Sequence, residues 1–144
     1  MANDKKNYLK KIYILLGIGG LIFVFANAAS IFFDPFSWSG WWIANGFHTL
    51  GGAYAFFFTR AIFRYSKLSY RIEVPKGMEI VILLGGALAL GVFWEWYELF
   101  LDRYGVLVLG VVSTASYADN IGDLAFDILG ALIAALYFFK HGCK

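Results

Sequence analysis

Apolar residues run along this chain in four long blocks, each bounded by charges, glycine or proline. The blocks cover roughly Ile12–Phe33, Trp41–Phe63, Met78–Leu101 and Ile121–Phe139. A helix needs about 20 residues to cross the hydrocarbon core of a bilayer, so each block predicts one spanning helix. A fifth stretch, Tyr104–Ala118, is apolar but short, and Gly105, Gly110, Ser113, Thr114 and Ser116 interrupt it. It predicts an interfacial or re-entrant segment between spans three and four. The expected fold class is an all-α membrane protein: a four-span helical bundle forming a single transmembrane domain over 1–144.

Composition agrees with the pattern. The chain is 60% hydrophobic and only 15% charged, against about 45–50% and about 25% in soluble domains. A water-soluble protein of 144 residues could not hide that much apolar surface. A bilayer can serve as the solvent for it. The single cysteine, Cys143, cannot form a disulfide within the chain and says nothing of redox compartment.

The placement of charge adds an orientation. Lys5, Lys6, Lys10 and Lys11 precede span one, and Arg60, Arg64, Lys67, Arg71 and Lys76 flank or fill the connection between spans two and three. Lys140 and Lys144 follow span four. With four spans, all of the 12 Lys and Arg residues except Arg103 fall on one side, which the positive-inside rule makes cytoplasmic. The expected location is the cell (inner) membrane, multi-pass, with both termini cytoplasmic. A fifth span at 104–118 would put Lys140 and Lys144 on the wrong side. The Lys-rich start followed by Ala26-Asn27-Ala28 also fits a cleaved signal peptide, but the run stays apolar through Phe33, longer than a usual signal core. Trp38, Trp41, Trp42, Trp94, Trp96, Tyr97 and Tyr117 suit the membrane–water interface, where anchoring is the expected role. The basic connection, with Tyr65 and Tyr70, suits anionic lipid headgroups rather than nucleic acid.

Ionisable groups inside spans cost about 2.5–3.5 kcal/mol each on insertion scales and are functional candidates by default. His48, Glu95, Glu98, Asp123 and Asp127 lie inside spans, and Asp119 just before one. Glu79 reads as a helix-start charge. His48 falls seven residues after Trp41, about 10 Å along span two; Glu95 and Glu98 are near the outer end of span three. Asp123 and Asp127 are in the first turns of span four. All are therefore expected in the outer half of the membrane. Glu95 and Glu98 share a face at i, i+3, extended by Asp102, and Asp119, Asp123 and Asp127 form one stripe if the helix begins near Asp119. On span two Asn45, His48, Gly51, Gly52 and Ala55 share a face whose small residues admit another helix closely; Gly130, Ala131 and Ala134 offer the same below the aspartate stripe. Asn27 is at a comparable depth.

Five carboxylates cannot all be charged side by side without compensation, and Arg103 is the only basic residue nearby. Protons or bound cations must supply it. Oxygen donors with one imidazole favour Mg²⁺, Mn²⁺ or Ca²⁺ over Zn²⁺ or Fe²⁺. The candidate metal ligands are Glu95, Asp119, Asp123, Asp127 and His48; the candidate catalytic residues are His48 and Glu98. Each has a plainer reading. His48 can be a buried hydrogen-bonding histidine, Asp119 can cap the fourth helix, and Glu98 and Asp102 can simply reach the interface.

Three motifs in order, HTLGG (His48–Gly52), WEWYE (Trp94–Glu98) and DNIGDLAFDILGA (Asp119–Ala131), resemble the YjdF-like family of uncharacterised inner-membrane proteins. The resemblance covers spans two to four, roughly two-thirds of the chain, and implies a multi-span membrane domain. The last motif is more loosely similar to VanZ-like membrane proteins, which points to the cell envelope. Aspartates four apart also occur in CDP-alcohol phosphotransferases, but their preceding D-G-x-x-A-R pattern is absent here.

Three functions remain open on the sequence. One is a metal-dependent enzyme acting on a lipid-linked or phosphorylated substrate; its weak point is the lack of a phosphate-binding Arg or Lys near the acids. The second is a proton- or cation-conducting component, for which four spans are few unless a homo-oligomer forms, and whose inner half lacks polar lining. The third is a non-catalytic scaffold, in which the polar cluster glues helices together.

Overall fold

The computed structural model describes residues 2–32, 37–105 and 117–141. They form four helices: α1 (Ala2–Phe32), α2 (Trp38–Tyr70), α3 (Lys76–Tyr104) and α4 (Tyr117–His141). The short apolar stretch assigned to an interfacial or re-entrant segment lies, apart from its ends, outside the described residues.

Local chemistry sets the helix ends. Ser37 caps α2, its hydroxyl accepting from the Gly40 N–H at 3.0 Å, the usual satisfaction of an orphan donor in the first turn. Arg71 closes α2 in the left-handed region at φ 54°, a conformation that ends a helix by turning the chain out of it. Pro75 then disfavours a helical residue before it and opens α3 as its N-cap. The connection read as Arg60–Lys76 is therefore mostly helix, and only residues 71–75 link α2 to α3. Ion pairs explain the extension: Glu79 in the first turn of α3 meets Arg64 at 2.8 Å and Lys67 at 3.5 Å. Holding both partners requires α2 to continue past the apolar block.

Among the described residues, three helices are long and apolar enough to cross a membrane: Asp4–Ala29, Lys76–Tyr104 and Asp119–Lys140. The protein is thus an all-helical, multi-span membrane protein. α2 is the longest helix at 33 residues, yet Asn45, His48, Thr49 and its glycines dilute its apolar run. Its position accounts for that composition. α2 packs against α1, α3 and α4, so its polar face meets protein rather than lipid.

α2 and α4 run in the same direction, as the pairs His48–Asp123 and Arg60–Phe138 show. They approach on glycine. A Cβ on Gly52 would collide with the Asp127 backbone carbonyl, and one on Gly130 with the carbonyl of Thr49. α3 lies antiparallel beside them, with Gly86 against Thr59. Below this crossing, Ala55, Phe56, Leu83, Ala87, Ala131, Ala134 and Ala135 form the buried core. Small side chains let these helices pack by close contact, the main attraction available where lipid is as apolar as leucine. The outward residues of α1 remain exposed, among them Leu21, Val24 and Phe25.

Candidate metal centre

The close α2–α4 approach puts His48 directly against the acids of α3 and α4. His48 is 6% exposed, Glu95 and Asp127 5% each. Its Nδ1 is 3.5 Å from Asp127 Oδ1 and 3.7 Å from Glu95 Oε1. Its Nε2 is 3.6 Å from Asp123 Oδ1 and 3.8 Å from Glu98 Oε2. These separations exceed the usual hydrogen-bond length of about 2.7–3.2 Å. The two from Nε2, to Asp123 and Glu98, are close to the spacing between neighbouring ligands of one cation, roughly 2.8–3.7 Å for octahedral sites with bonds of 2.0–2.6 Å.

One atom from each of His48, Glu95, Glu98 and Asp123 lies within 4.8 Å of the others, a group capable of coordinating a metal ion. Two buried oxygens at the site, Glu95 Oε1 and Asp127 Oδ2, have no hydrogen-bond partner. Buried carboxylate oxygens without a donor are expensive, and a cation held by Glu95 would satisfy its oxygen. The donor set and that oxygen therefore fit a divalent ion.

Most sequence candidates converge. His48, Glu95, Glu98 and Asp123 form the group, and Asp127 stands against the Nδ1 edge of the imidazole, beside Glu95. Asp119 does not join them. α4 begins at Tyr117, so Asp119 sits in the first turn rather than at a cap, and it lines the adjoining cavity. Tyr97, expected to be an interface anchor, donates from its hydroxyl to Asn27 Oδ1 at 2.9 Å. That bond ties α3 to α1, and Phe23 packs on Tyr97 and Trp94 beside it. Gly91 was not legible as a site residue. A Cβ there would meet Asp127 Oδ2, so its missing side chain leaves room for that carboxylate. Its place one turn before Glu95 on the same face was the available signal.

A cavity of about 860 Å³ opens onto this group, walled by all four helices and lined by His48, Glu98, Asp102, Asp119 and Asp123 at its polar end.

Fold and site together define a multi-span helical membrane protein with a buried His/Glu/Asp cluster that can bind a metal ion. The chain belongs to the family described as predicted membrane protein (DUF2238), whose sequence profile matches residues 2–143. Neither the curated proteins nor the solved structures include a significant match.

Proposed function

We propose that this protein is a divalent-metal-dependent membrane enzyme whose centre lies in the outer half of the bilayer and acts on a lipid-linked or phosphorylated envelope substrate. The observation that carries the reading is a single imidazole set among four carboxylates, with Glu95 Oε1 and Asp127 Oδ2 buried and lacking a hydrogen-bond donor. His48, Glu95 and Asp123 would hold the ion, favouring Mg²⁺, Mn²⁺ or Ca²⁺ by their hard donors. Asp127, facing Nδ1, would fix the ring so that Nε2 points to the metal. Glu98, the most accessible member with a side chain 44% exposed, would complete the ligand set or take a proton from an arriving water. When bound, the ion supplies Lewis acidity toward a phosphoryl oxygen and lowers the cost of deprotonating water.

The topology supporting this reading has four spans, with α2 crossing as the protected central helix and both termini in the cytoplasm of a cell whose inner membrane holds the protein. The basic end, Arg60 to Lys76, would then contact anionic headgroups. The VanZ-like resemblance favours an envelope role. Conduction is the weaker reading, because the alanine-rich core with fully buried Phe56 and Leu83 lies directly below the cluster and gives ions no polar path.

The test is metal analysis of protein purified without chelator, then assay of phosphorylated lipid turnover before and after removing the metal. A bound divalent ion whose removal stops turnover is expected. No bound ion, and no thermal stabilisation by any divalent ion, overturns the proposal.

A further inference from the structure

The cavity does not stop at the acidic cluster. Its polar lining, Asn45, Glu98 and Asp123, gives way along the helices to Leu16, Gly20, Phe58 and Leu90. From His48 to Phe58 is about 15 Å along α2. α4 contributes no lining residue beyond Asp127, so the apolar part is walled by α1, α2 and α3.

α1 gives this slot an open flank. Among the described residues its backbone comes close only to α2. It reaches α3 through side chains, chiefly the Tyr97–Asn27 bond and the Phe23 ring contacts. A void this apolar offers water too few polar partners, and hydrocarbon lies on the other side of α1.

We propose that the slot takes the single hydrocarbon tail of a phosphate-bearing amphiphile whose head lies at the His48 cluster. This rests on the metal-centre reading for the head and adds the tail site. Volume favours one tail. Taking a methylene at about the 30 Å³ of a water molecule, a twelve-carbon tail needs roughly 360 Å³. The cavity of about 860 Å³ holds that with ample room for a headgroup and its ion, whereas two such tails would leave only about 140 Å³ for both. Lipid tails are as apolar as leucine, so the bilayer competes for the tail. Recognition should therefore show as sensitivity to the slot's shape rather than as bulk hydrophobic affinity.

Two glycines on α1 make a matched test. Gly20 lines the slot, and a Cβ there meets nothing within 4 Å. Gly17 is equally unobstructed but does not line it. Neither change should disturb packing, so Gly20→Leu fills the slot and Gly17→Leu controls for an added leucine on α1. In lipid nanodiscs, dodecyl phosphate and inorganic phosphate are titrated against the Mn²⁺-loaded protein, following the Mn²⁺ paramagnetic resonance signal. Dodecyl phosphate should bind about tenfold more weakly to Gly20→Leu than to the wild type or Gly17→Leu, while inorganic phosphate should not distinguish the three. Equal dodecyl phosphate binding by both leucine variants overturns the slot. A diazirine-tailed alkyl phosphate gives a readout that needs no metal. Crosslinks to the peptides holding Gly20 and Phe58, lost in Gly20→Leu, support the slot even if no Mn²⁺ binds, in which case only the metal reading falls. Crosslinks spread over the outward face of α1 and unchanged by Gly20→Leu overturn it.

Discussion

The two ends of this bundle hold their charges in opposite ways. At one end Glu79 is met by Arg64 at 2.8 Å and Lys67 at 3.5 Å, so the chain neutralises its own acid. At the other, His48 faces Glu95, Glu98, Asp123 and Asp127 at 3.5–3.8 Å. One imidazole can balance one of the four. Two unit charges 4 Å apart interact by about 4 kcal/mol at an effective dielectric constant of 20, and a whole domain is stable by only about 5–15 kcal/mol. Several such repulsions cannot be left standing. The first end is finished by the fold, and the second requires protons or a cation from outside.

The most severe way to break that contrast is Asp123→Asn together with Asp127→Asn. Titration calorimetry should show Mn²⁺ binding weakened at least about a hundredfold, since one ligand and the group orienting His48 lose their charge. In thermal melts, metal at a hundred times its dissociation constant should stabilise the wild type by about 2.7 kcal/mol and the variant by almost nothing. Without metal the order should reverse, because the variant has less internal repulsion. A metal-free variant that unfolds more readily than the metal-free wild type would show that the carboxylates act as helix glue, and would favour the scaffold.

The uncompensated end also predicts proton exchange. A cation and protons compete for the same oxygens, and metal binding releases protons. Binding heats measured at one pH in two buffers of different ionisation enthalpy should differ. Acidification should release the ion as carboxylates and imidazole take up protons. Buffer-independent heats would mean that the cluster is already fully deprotonated before metal arrives, which would break the argument that its charges cannot stand together uncompensated.

A subtler change tests how closely the second end is built. Gly91→Ala puts a methyl against Asp127 Oδ2. The obstacle is the end of a side chain rather than backbone, so the helices can stay in place while the carboxylate turns away from His48. Folding should be nearly unaffected and metal affinity should fall about tenfold, in line with changes to groups that orient a ligand. Gly52→Ala is the contrasting case, since its methyl would meet backbone and should lower the melting temperature.

These two glycines also mark where sequence reading stops. Three of the spanning helices and the gathering of His48 with Glu95, Glu98 and Asp123 followed from apolar block lengths and from i, i+3 and i, i+4 spacing. The protected face of α2 was legible too, from Asn45, His48, Gly51, Gly52 and Ala55 recurring at helical intervals. What periodicity does not contain is the depth at which α2 crosses α4. That depends on backbone contact at Gly52 and Gly130, and it decides that Asp127 meets Nδ1 while Asp119, two turns earlier, does not reach the imidazole. The α2 extension through Arg64 and Lys67 was hidden for a similar reason. Charge marked the end of the apolar block, but the helix continues because Glu79 on the neighbouring element receives both cations.

The smallest expected effect belongs to the finished end. Glu79→Gln removes the acid shared by Arg64 and Lys67. Arg64 is 35% exposed and Lys67 21%, so water can take up much of what Glu79 supplied, and partly exposed pairs are worth roughly 0.2–1 kcal/mol. Glu79 also lies in the first turn of α3, where a negative charge gains up to about 1 kcal/mol from the helix dipole. The melting temperature should drop slightly, more at low salt than at high salt. Metal affinity at the His48 cluster should not change, because more than four helical turns of α3 separate Glu79 from Glu95. A large loss of metal binding in Glu79→Gln would mean that the two ends are coupled through α3. In that case the acidic cluster would depend on the very compensation it lacks.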